Sequence, residues 1–339
     1  MKSDIESRLS SNDFVPPSAL RNGHVQTIAA ALIPRQIRLL LGMAEPRVFE
    51  PEPGVKVLGS CSWHRNRKDR PTVVVIHGME GSADSPYMQS TAECAVSRGF
   101  NVVRLNIRNC GGTESMSPTL YHAGLTIDAR SVIAELSEKD GLNEIYLVGF
   151  SLGGNIVLKL AGEYGAAPPK ALRGVAAISP SIDLTAAIDA IEARSNLLYH
   201  LRFVRSLRTR LRRKASFFPD RYDVSRLAGI WSIREFDDAY TAPHCGFEDS
   251  GDYYRRASAL PFISRITVPT LIIHAKDDPF IPYAPLERSE VKENPNVFLL
   301  APECGGHVAF VSRRAAGVHR FWAEAKACEF VSLVATSGA

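Results

Sequence analysis

The sequence predicts an α/β protein with a mostly parallel central sheet, helices on both faces of that sheet and an inserted helical cap. Three observations support this fold class. Short apolar runs rich in β-branched residues recur along the chain, helical patterns separate them, and one stretch, residues 183–265, interrupts the alternation. Runs this apolar are typical of parallel strands that are covered on both faces. At 339 residues, the chain is expected to form a single domain, 1–339.

Strands and helices are predicted in alternation through most of the chain. The predicted strands are Thr72–Ile76, Asn101–Leu105, Glu144–Val148, Gly174–Ile178, Thr270–His274 and Asn296–Leu300. The predicted helices are Ser85–Ser97, Thr126–Leu136, Leu152–Tyr164 and a last one near Arg313–Leu333. Residues 1–70 do not follow the alternation. They predict an N-terminal strap and leading strands, with a short helix near Val25–Ile33 that Pro34 ends.

Composition and charge argue against several classes of protein. The net charge of +4 is too small to indicate nucleic acid as a partner. The six cysteines are widely spaced and form no Cys-x-x-Cys pair, so reduced thiols are expected and no metal or cofactor is indicated. The first eight residues are too polar for a signal peptide, and no apolar run reaches the length of a membrane span. These features predict a cytoplasmic location and leave the oligomeric state open.

The most informative motif is a Gly-x-Ser-x-Gly sequence, Gly149–Gly153, centred on Ser151. A buried strand precedes it and an amphipathic helix follows it, which is the context of a nucleophile elbow. The positions two before and two after the serine must be small because strand and helix approach closely there. The alternative is a glycine-rich turn whose serine has no chemical role. The context favours Ser151 as a nucleophile.

A serine nucleophile needs a base and an acid that orients the base, and on this architecture the chain order is serine, acid, histidine. His307 is the candidate base because it follows two glycines in a loop near the C-terminus; the alternative is a surface histidine. Asp278 is the preferred acid because it precedes the turn Pro279–Pro282. Asp277 remains the alternative, either as the acid or as a neighbour that holds the turn.

The backbone groups of an oxyanion hole are expected from two loops. One N–H belongs to Leu152, which follows the nucleophile, and the other to Met79 in the loop after an earlier strand. Gly78 would let that backbone approach the substrate, although a glycine kept for folding is the alternative. Gly78, Phe150 and Phe280 are also expected to contact the substrate.

The inserted cap segment, 183–265, contains a basic amphipathic helix. Its predicted apolar face is formed by Leu197, Leu201, Val204 and Leu211, and its basic face by Arg202, Arg205, Arg208 and Arg212. One interpretation is steering of anionic substrates or peripheral contact with a phospholipid surface. The other is a cap helix that packs its leucines on the core while its arginines remain solvated. The aromatic and acidic stretches near Phe236 and Asp252 line an acyl pocket or hold the cap.

Several longer motifs resemble the α/β-hydrolase superfamily, and within it the YheT-like (AB hydrolase-4 type) esterase subfamily. The matching stretches begin at Arg21 (RNGHVQTI), His77 (HGMEGSADSPYM), Asn106 (NIRNCGGT), Gly149 (GFSLGGN) and Asp277 (DDPF). The resemblance implies an α/β-hydrolase fold and a carboxylic-ester hydrolase whose triad is Ser151, Asp278 and His307. It also implies substrates among small esters or lipids. The chain departs from the family pattern at Asn109, where glycine is common.

The sequence thus leads to three functional hypotheses. The first is hydrolysis of a carboxylic ester through an acyl-enzyme, with short- to medium-chain acyl esters or lipid esters as substrates. The second uses the same triad for acyl transfer or thioester hydrolysis. The third is a non-catalytic scaffold that binds a small ligand. The complete set of serine, aspartate and histidine favours the first hypothesis over the third.

Overall fold

One eight-stranded sheet forms the centre of the protein, seen here in a computed structural model that describes residues 8–9, 14–40, 42–314 and 319–337. The strand order is β1-β2-β4-β3-β5-β6-β7-β8. Strand β2 pairs antiparallel with β1 and β4, whereas the other neighbours are parallel. The strands are β1 Ala44–Glu52, β2 Val55–Ser62, β3 Thr72–Ile76, β4 Asn101–Leu105, β5 Ile145–Phe150, β6 Leu172–Ile178, β7 Thr270–Ile273 and β8 Val297–Leu300.

Twelve α-helices are found in the described residues, six of them between β6 and β7. They are α1 Gly23–Leu32, α2 Pro86–Ser97, α3 Ile127–Glu138, α4 Leu152–Tyr164, α5 Leu184–Glu192, α6 Leu197–Phe217, α7 Ile233–Phe236, α8 Ala242–Cys245, α9 Ser250–Ala257, α10 Leu260–Ile263, α11 Ser289–Lys292 and α12 Trp322–Ser337. None of these helices combines the length and the apolar character of a membrane span.

The core lies on both faces of the sheet, because the side chains of the parallel strands alternate between two apolar layers. Val74 and Leu147 belong to the layer that contains α4 and the helices between β6 and β7. Val73 and Val148 point to the other layer, which α2 and α12 cover. The predicted α/β-hydrolase fold is therefore confirmed: a mostly parallel sheet has helices on both faces.

The structure corrects two local predictions. The last helix begins at Trp322 rather than near Arg313, because Val311 and Phe321 first form an isolated antiparallel bridge. In α6, the interpretation in which Leu197 and Leu201 pack on the core is not met, because they are 53% and 43% exposed. Parts of the predicted strap (1–7, 10–13 and 41) and of the predicted last helix (315–318) lie outside the described residues.

Candidate active site

The turn between β5 and α4 holds Ser151 in a strained backbone conformation. Its φ is +52° and its ψ is −115°, a combination that residues with a side chain rarely adopt. A Cβ on Gly149 would lie 2.2 Å from the Gly153 carbonyl oxygen, and one on Gly153 would lie 2.4 Å from the Ile76 carbonyl oxygen. Glycine is required at both positions because the start of helix α4 passes so close to strands β5 and β3.

Three loops at the carboxyl end of the sheet bring together Ser151, Asp278 and His307. His307 Nε2 lies 3.0 Å from Ser151 Oγ, and His307 Nδ1 lies 2.8 Å from Asp278 Oδ2. The Asp278 side chain has no solvent exposure and that of His307 has 12%. This is the arrangement in which a carboxylate orients an imidazole and the imidazole receives a serine proton.

The two adjacent aspartates have different surroundings. Asp278 Oδ1 accepts hydrogen bonds from the backbone of Phe280 and Ile281, which leaves Oδ2 for His307. Burial raises the pKa of Asp278. The charge of His307 and its hydrogen bond lower the pKa by more than burial raises it, so the net pKa lies below the ordinary value. Asp277 instead accepts from the Gly306 N–H at 2.8 Å. Asp277 therefore holds the loop that carries the histidine.

The loop after β3 lies directly against the nucleophile. A Cβ on Gly78 would lie 3.1 Å from the Ser151 Cβ, so a larger residue would make a tight contact there and Ser151 would have to shift slightly. The neutral His77 ring holds the loop: Nδ1 donates to the Gly78 carbonyl at 2.7 Å and Nε2 accepts from Ile107 N–H at 3.0 Å. Burial lowers the pKa of His77 to about 4. Met79 and Leu152 both line the cavity in front of Ser151.

The two phenylalanines expected to contact substrate are not among the residues that line the cavity. Phe150 is fully buried in the layer on the other side of the sheet, where its ring packs 4.7 Å from that of Tyr87. It points there because side chains alternate along β5, so Ser151 and Phe150 face opposite ways. Phe280 is buried beside His307, with the two rings 4.8 Å apart, and it covers the imidazole instead of lining the cavity.

Helix α1 supports the histidine loop, a role that sequence reasoning missed. The Thr27 Oγ1 accepts a hydrogen bond from the His307 N–H at 2.9 Å, across 280 residues of sequence. Asn22 caps the helix, and a Cβ on Gly23 would lie 2.0 Å from the Asp277 carbonyl oxygen. The Gln26 Oε1 accepts from the Val311 N–H at 2.8 Å. The motif that begins at Arg21 was therefore the signal for this contact.

A largely apolar cavity of about 610 Å³, including its open mouth, extends from Ser151 beneath the helices between β6 and β7. Aliphatic side chains of α5, α6 and α7 form much of its wall. The lining residues are Met79, Tyr121, Ala123, Ser151, Leu152, Ser181, Leu184, Ala187, Ile188, Ile191, Leu207, Arg210, Ile233, Asp237, Thr241, Tyr253, Tyr254 and Ile281. A largely apolar cavity of this kind, which Ser151 also lines, suits a hydrocarbon chain.

A buried ion pair connects the cavity wall to the loop of Met79. Arg210 Nε donates to Glu80 Oε1 at 2.6 Å, and Tyr121 OH donates to the same oxygen at 2.9 Å. Both charged side chains are less than 10% exposed. Glu80 itself has a φ of +57°. The cap helix α6 is therefore connected, through the Glu80 side chain, to the loop that carries Met79.

Asp237 forms a second polar group in this wall. Its two carboxylate oxygens accept from Thr241 Oγ1 at 2.6 Å and Tyr254 OH at 2.8 Å, and burial raises its pKa to about 6. Among the described residues, no three His, Cys, Asp or Glu side chains are grouped so that they could hold a metal ion. The chemistry available at this site is that of the serine, the imidazole and the carboxylates.

Comparisons with known proteins agree with this architecture. The chain belongs to the alpha/beta hydrolase fold family, whose model matches residues 71–313. It is 33% identical over 307 residues to the putative esterase YheT of Escherichia coli K12, covering 89% of this chain and 88% of that protein. The predicted resemblance to the YheT-like subfamily is therefore confirmed.

Two further relatives extend the comparison. Over 291 residues the chain is 28% identical to the medium-chain fatty acid ethyl ester synthase/esterase 2 of Saccharomyces cerevisiae, covering 77% of this chain and 62% of that protein. The solved esterase Pf2001 of Pyrococcus furiosus shares the fold, with a TM-score of 0.56, 16% identity, and coverage of 88% and 98% of the two chains.

Proposed function

We propose that this chain is a serine hydrolase that cleaves carboxylic esters through an acyl-enzyme intermediate. The observation that carries the proposal is a pair of hydrogen bonds: His307 Nδ1 donates to Asp278 Oδ2, and Ser151 Oγ donates to His307 Nε2. A serine hydroxyl becomes a useful nucleophile only beside such an oriented base. The relatives named as esterases support an ester as the substrate.

In the proposed reaction, the Ser151 oxygen attacks the ester carbonyl carbon while His307 Nε2 accepts the serine proton. The N–H groups of Met79 and Leu152 donate to the oxyanion, and Asp278 stabilises the imidazolium. His307 then protonates the departing alcohol as the ester C–O bond breaks. A water molecule, deprotonated by His307, attacks the acyl-enzyme, and the acid leaves as Ser151 regains its proton.

The preferred substrates are proposed to be short- to medium-chain acyl esters or lipid esters. The mainly aliphatic cavity that Ser151 lines supports a hydrocarbon acyl chain. Aryl esters of graded acyl length measure the usable depth of the cavity. A maximum of kcat/KM at one length is expected, whereas a flat dependence would show that the chain does not enter the cavity.

Replacement of the nucleophile tests the proposal directly. Ser151→Ala is expected to abolish hydrolysis of aryl esters and covalent labelling by a fluorophosphonate, while the thermal unfolding of the protein stays cooperative. Ser181→Ala removes another serine of the same cavity and should retain the labelling. Labelling that persists in Ser151→Ala would exclude Ser151 as the nucleophile.

A second candidate function is acyl transfer, in which an alcohol instead of water attacks the acyl-enzyme. The relative named an ethyl ester synthase/esterase favours this candidate, and thioester hydrolysis by the same triad is a variant of it. Hydrolysis in the presence of graded ethanol, with analysis of both products, separates the two outcomes. If the fraction of ethyl ester among the products exceeds the fraction that the ratio of ethanol to water predicts, the protein is a transferase.

The third hypothesis, a non-catalytic ligand-binding scaffold, is disfavoured by the hydrogen-bonded Ser151 and His307. It would regain support if no serine-directed probe labelled the folded protein. The cytoplasmic location stays a prediction.

Contact with a membrane surface is proposed at the start of α6. Leu198 is 83% exposed there and Leu201 43%, and the neighbouring Arg202 and Arg205 are exposed. Apolar side chains beside cations suit an anionic phospholipid interface. Co-sedimentation with anionic vesicles is expected and should weaken in Leu198→Ser; equal binding to zwitterionic vesicles would contradict an electrostatic contribution.

A further inference from the structure

Arg210 is a buried cation in the wall of an otherwise largely apolar cavity. Arg210 is 7% exposed, and its Nε donates a hydrogen bond to Glu80. The guanidinium carbon lies 4.5 Å from the centre of the Tyr121 ring, so the cation also contacts the face of that ring. The long side chain is therefore fixed from two sides. Its donor atoms have defined positions before any substrate binds.

One of these donor atoms is unused. Arg210 Nη1 is buried and has no hydrogen-bond partner within the described part of the chain. Buried polar groups are nearly always paired, because a donor removed from water without a new acceptor loses free energy. Arg210 lines the same cavity as Ser151. A small movement of the Arg210 side chain that opens Nη1 to the cavity would let a ligand there supply the missing acceptor.

The charges around the cavity determine which acceptor suits Arg210. Glu80 already neutralises the guanidinium through a 2.6 Å ion pair. Asp237 adds a second acidic group to the wall, and its carboxylate is engaged by Thr241 and Tyr254. The wall thus has no excess of positive charge. A phosphate or carboxylate would meet two acidic groups, whereas an uncharged oxygen would meet only the free N–H.

We propose that Arg210 Nη1 recognises an uncharged oxygen in the non-reacting part of the substrate, such as an ether, a hydroxyl or a second carbonyl. The inference deepens the proposed esterase function, because Ser151 lines the same cavity. Preferred substrates are then esters whose chain within the cavity carries an oxygen at the depth of Arg210. Plain hydrocarbon esters of equal length leave the N–H unpaired.

An isosteric scan of the acyl chain tests this recognition. Aryl esters in which an ether oxygen replaces one methylene at successive positions are compared with the plain ester of the same length. At one position, kcat/KM is expected to rise about tenfold to a hundredfold, the gain for one hydrogen bond from a charged donor. A companion ester with a terminal carboxylate should be poorer than the plain ester.

Variants identify the donor. In Arg210→Lys, which keeps a cation for Glu80 but lacks Nη1, the ratio of the oxygen-bearing to the plain ester should fall to about one. The double variant Arg210→Met with Glu80→Gln removes both charges and should give the same ratio if it folds. Arg213→Met, on the exposed face of the same helix, should keep the wild-type ratio.

Fluorophosphonate labelling distinguishes failure of this inference from failure of the proposed function. Wild-type protein that is labelled and hydrolyses plain esters, but shows no position with a raised ratio, would overturn the role of Arg210 and leave the esterase intact. A preference for the carboxylate-bearing ester would overturn the uncharged acceptor. Absence of both labelling and hydrolysis would reject the proposed function and this inference together.

Discussion

The two walls of the candidate active site are built in different ways. The sheet wall consists of short loops after β3, β5 and β7, where backbone N–H groups and glycine contacts hold Ser151 and Asp278 in place. The cap wall depends on the long helix α6, which two buried cations, Arg210 and Lys214, anchor one turn apart. The sheet wall positions the proposed nucleophile and acid, and the cap wall shapes the cavity in front of them.

The two cations of α6 differ in their partners. Arg210 pairs with the Glu80 carboxylate, and although burial lowers its pKa, that negative charge raises the net pKa. Among the described residues, Lys214 donates to three neutral acceptors: Asn109 Oδ1 at 2.5 Å, the Glu114 carbonyl at 2.9 Å and the Ser117 carbonyl. Burial, reinforced by the charge of Arg210, lowers the pKa of Lys214 to about 7. Of these two contacts of α6, the one made by Lys214 is therefore the one that is sensitive to pH near neutrality.

The largest expected effect lies in the sheet wall, at its two aspartates. Asp278→Asn should lower kcat by about 10⁴-fold, because an amide cannot stabilise the imidazolium or hold the required tautomer. Asp277→Asn should lower kcat by no more than about tenfold, since it changes only a loop hydrogen bond. Steady-state hydrolysis of one aryl ester compares them. A greater loss in Asp277→Asn would reverse the assignment of the acid.

The next effect concerns the pH dependence of the cap wall. The pKa of Lys214 is about 7 in the folded protein and about 10.5 when unfolded, so the unfolded chain binds more protons between these values. The free energy of unfolding contributed by Lys214 therefore rises as the pH is raised from 7 towards 10.5. Compared with Lys214→Met, the wild type should gain about 1–2 kcal/mol over this range, allowing for relaxation of the site.

Urea unfolding at several pH values measures that difference. Lys170→Met removes an exposed lysine and serves as the control, with the same slope as the wild type. Parallel curves for wild type and Lys214→Met would mean that Lys214 keeps an ordinary proton affinity in the folded state.

The smallest expected effect is at α1, behind the sheet wall. Thr27→Val removes the acceptor of the His307 N–H at nearly constant volume and should lower kcat about threefold to tenfold, with KM unchanged. Thr27→Ser, which keeps the hydroxyl, should restore kcat. The pH profile of kcat is a second measurement. Loss of the hydrogen bond to the His307 loop should shift this profile, whereas loss of packing alone should not. Equal losses in both variants would indicate a packing role for Thr27 instead of a hydrogen bond to the histidine loop.

Much of the sheet could be predicted from sequence because its signals are local. Strands β3 and β4 and helix α4 have the predicted bounds. Their apolar runs and the glycines around Ser151 constrain the chain over a few residues, so neighbouring patterns are sufficient. The first turns of α6 could not be predicted in this way: Leu197 and Leu201 have helical spacing, but no core element covers them.

The residues of the candidate site differ in the same way: local motifs predict some of them, and contacts between distant segments involve the others. Its serine and histidine follow from motifs with a recognisable chain order, but the contact of Thr27 with His307 joins residues 280 positions apart. The Glu80 and Arg210 pair spans 130 positions and leaves no mark in either local sequence. Such contacts depend on how the cap and the strap pack on the sheet, which composition and periodicity do not encode.

The amino-acid sequence alone therefore determined the α/β architecture, the strained turn at Ser151 and the candidates for the base and the acid, because each depends on short-range sterics and periodicity. Tertiary structure alone decided that Asp278, not Asp277, contacts His307, that Phe150 points away from the cavity, and that Arg210 lies in its wall. These outcomes depend on the directions of side chains from distant segments, and a shift of one residue along a strand reverses such a direction.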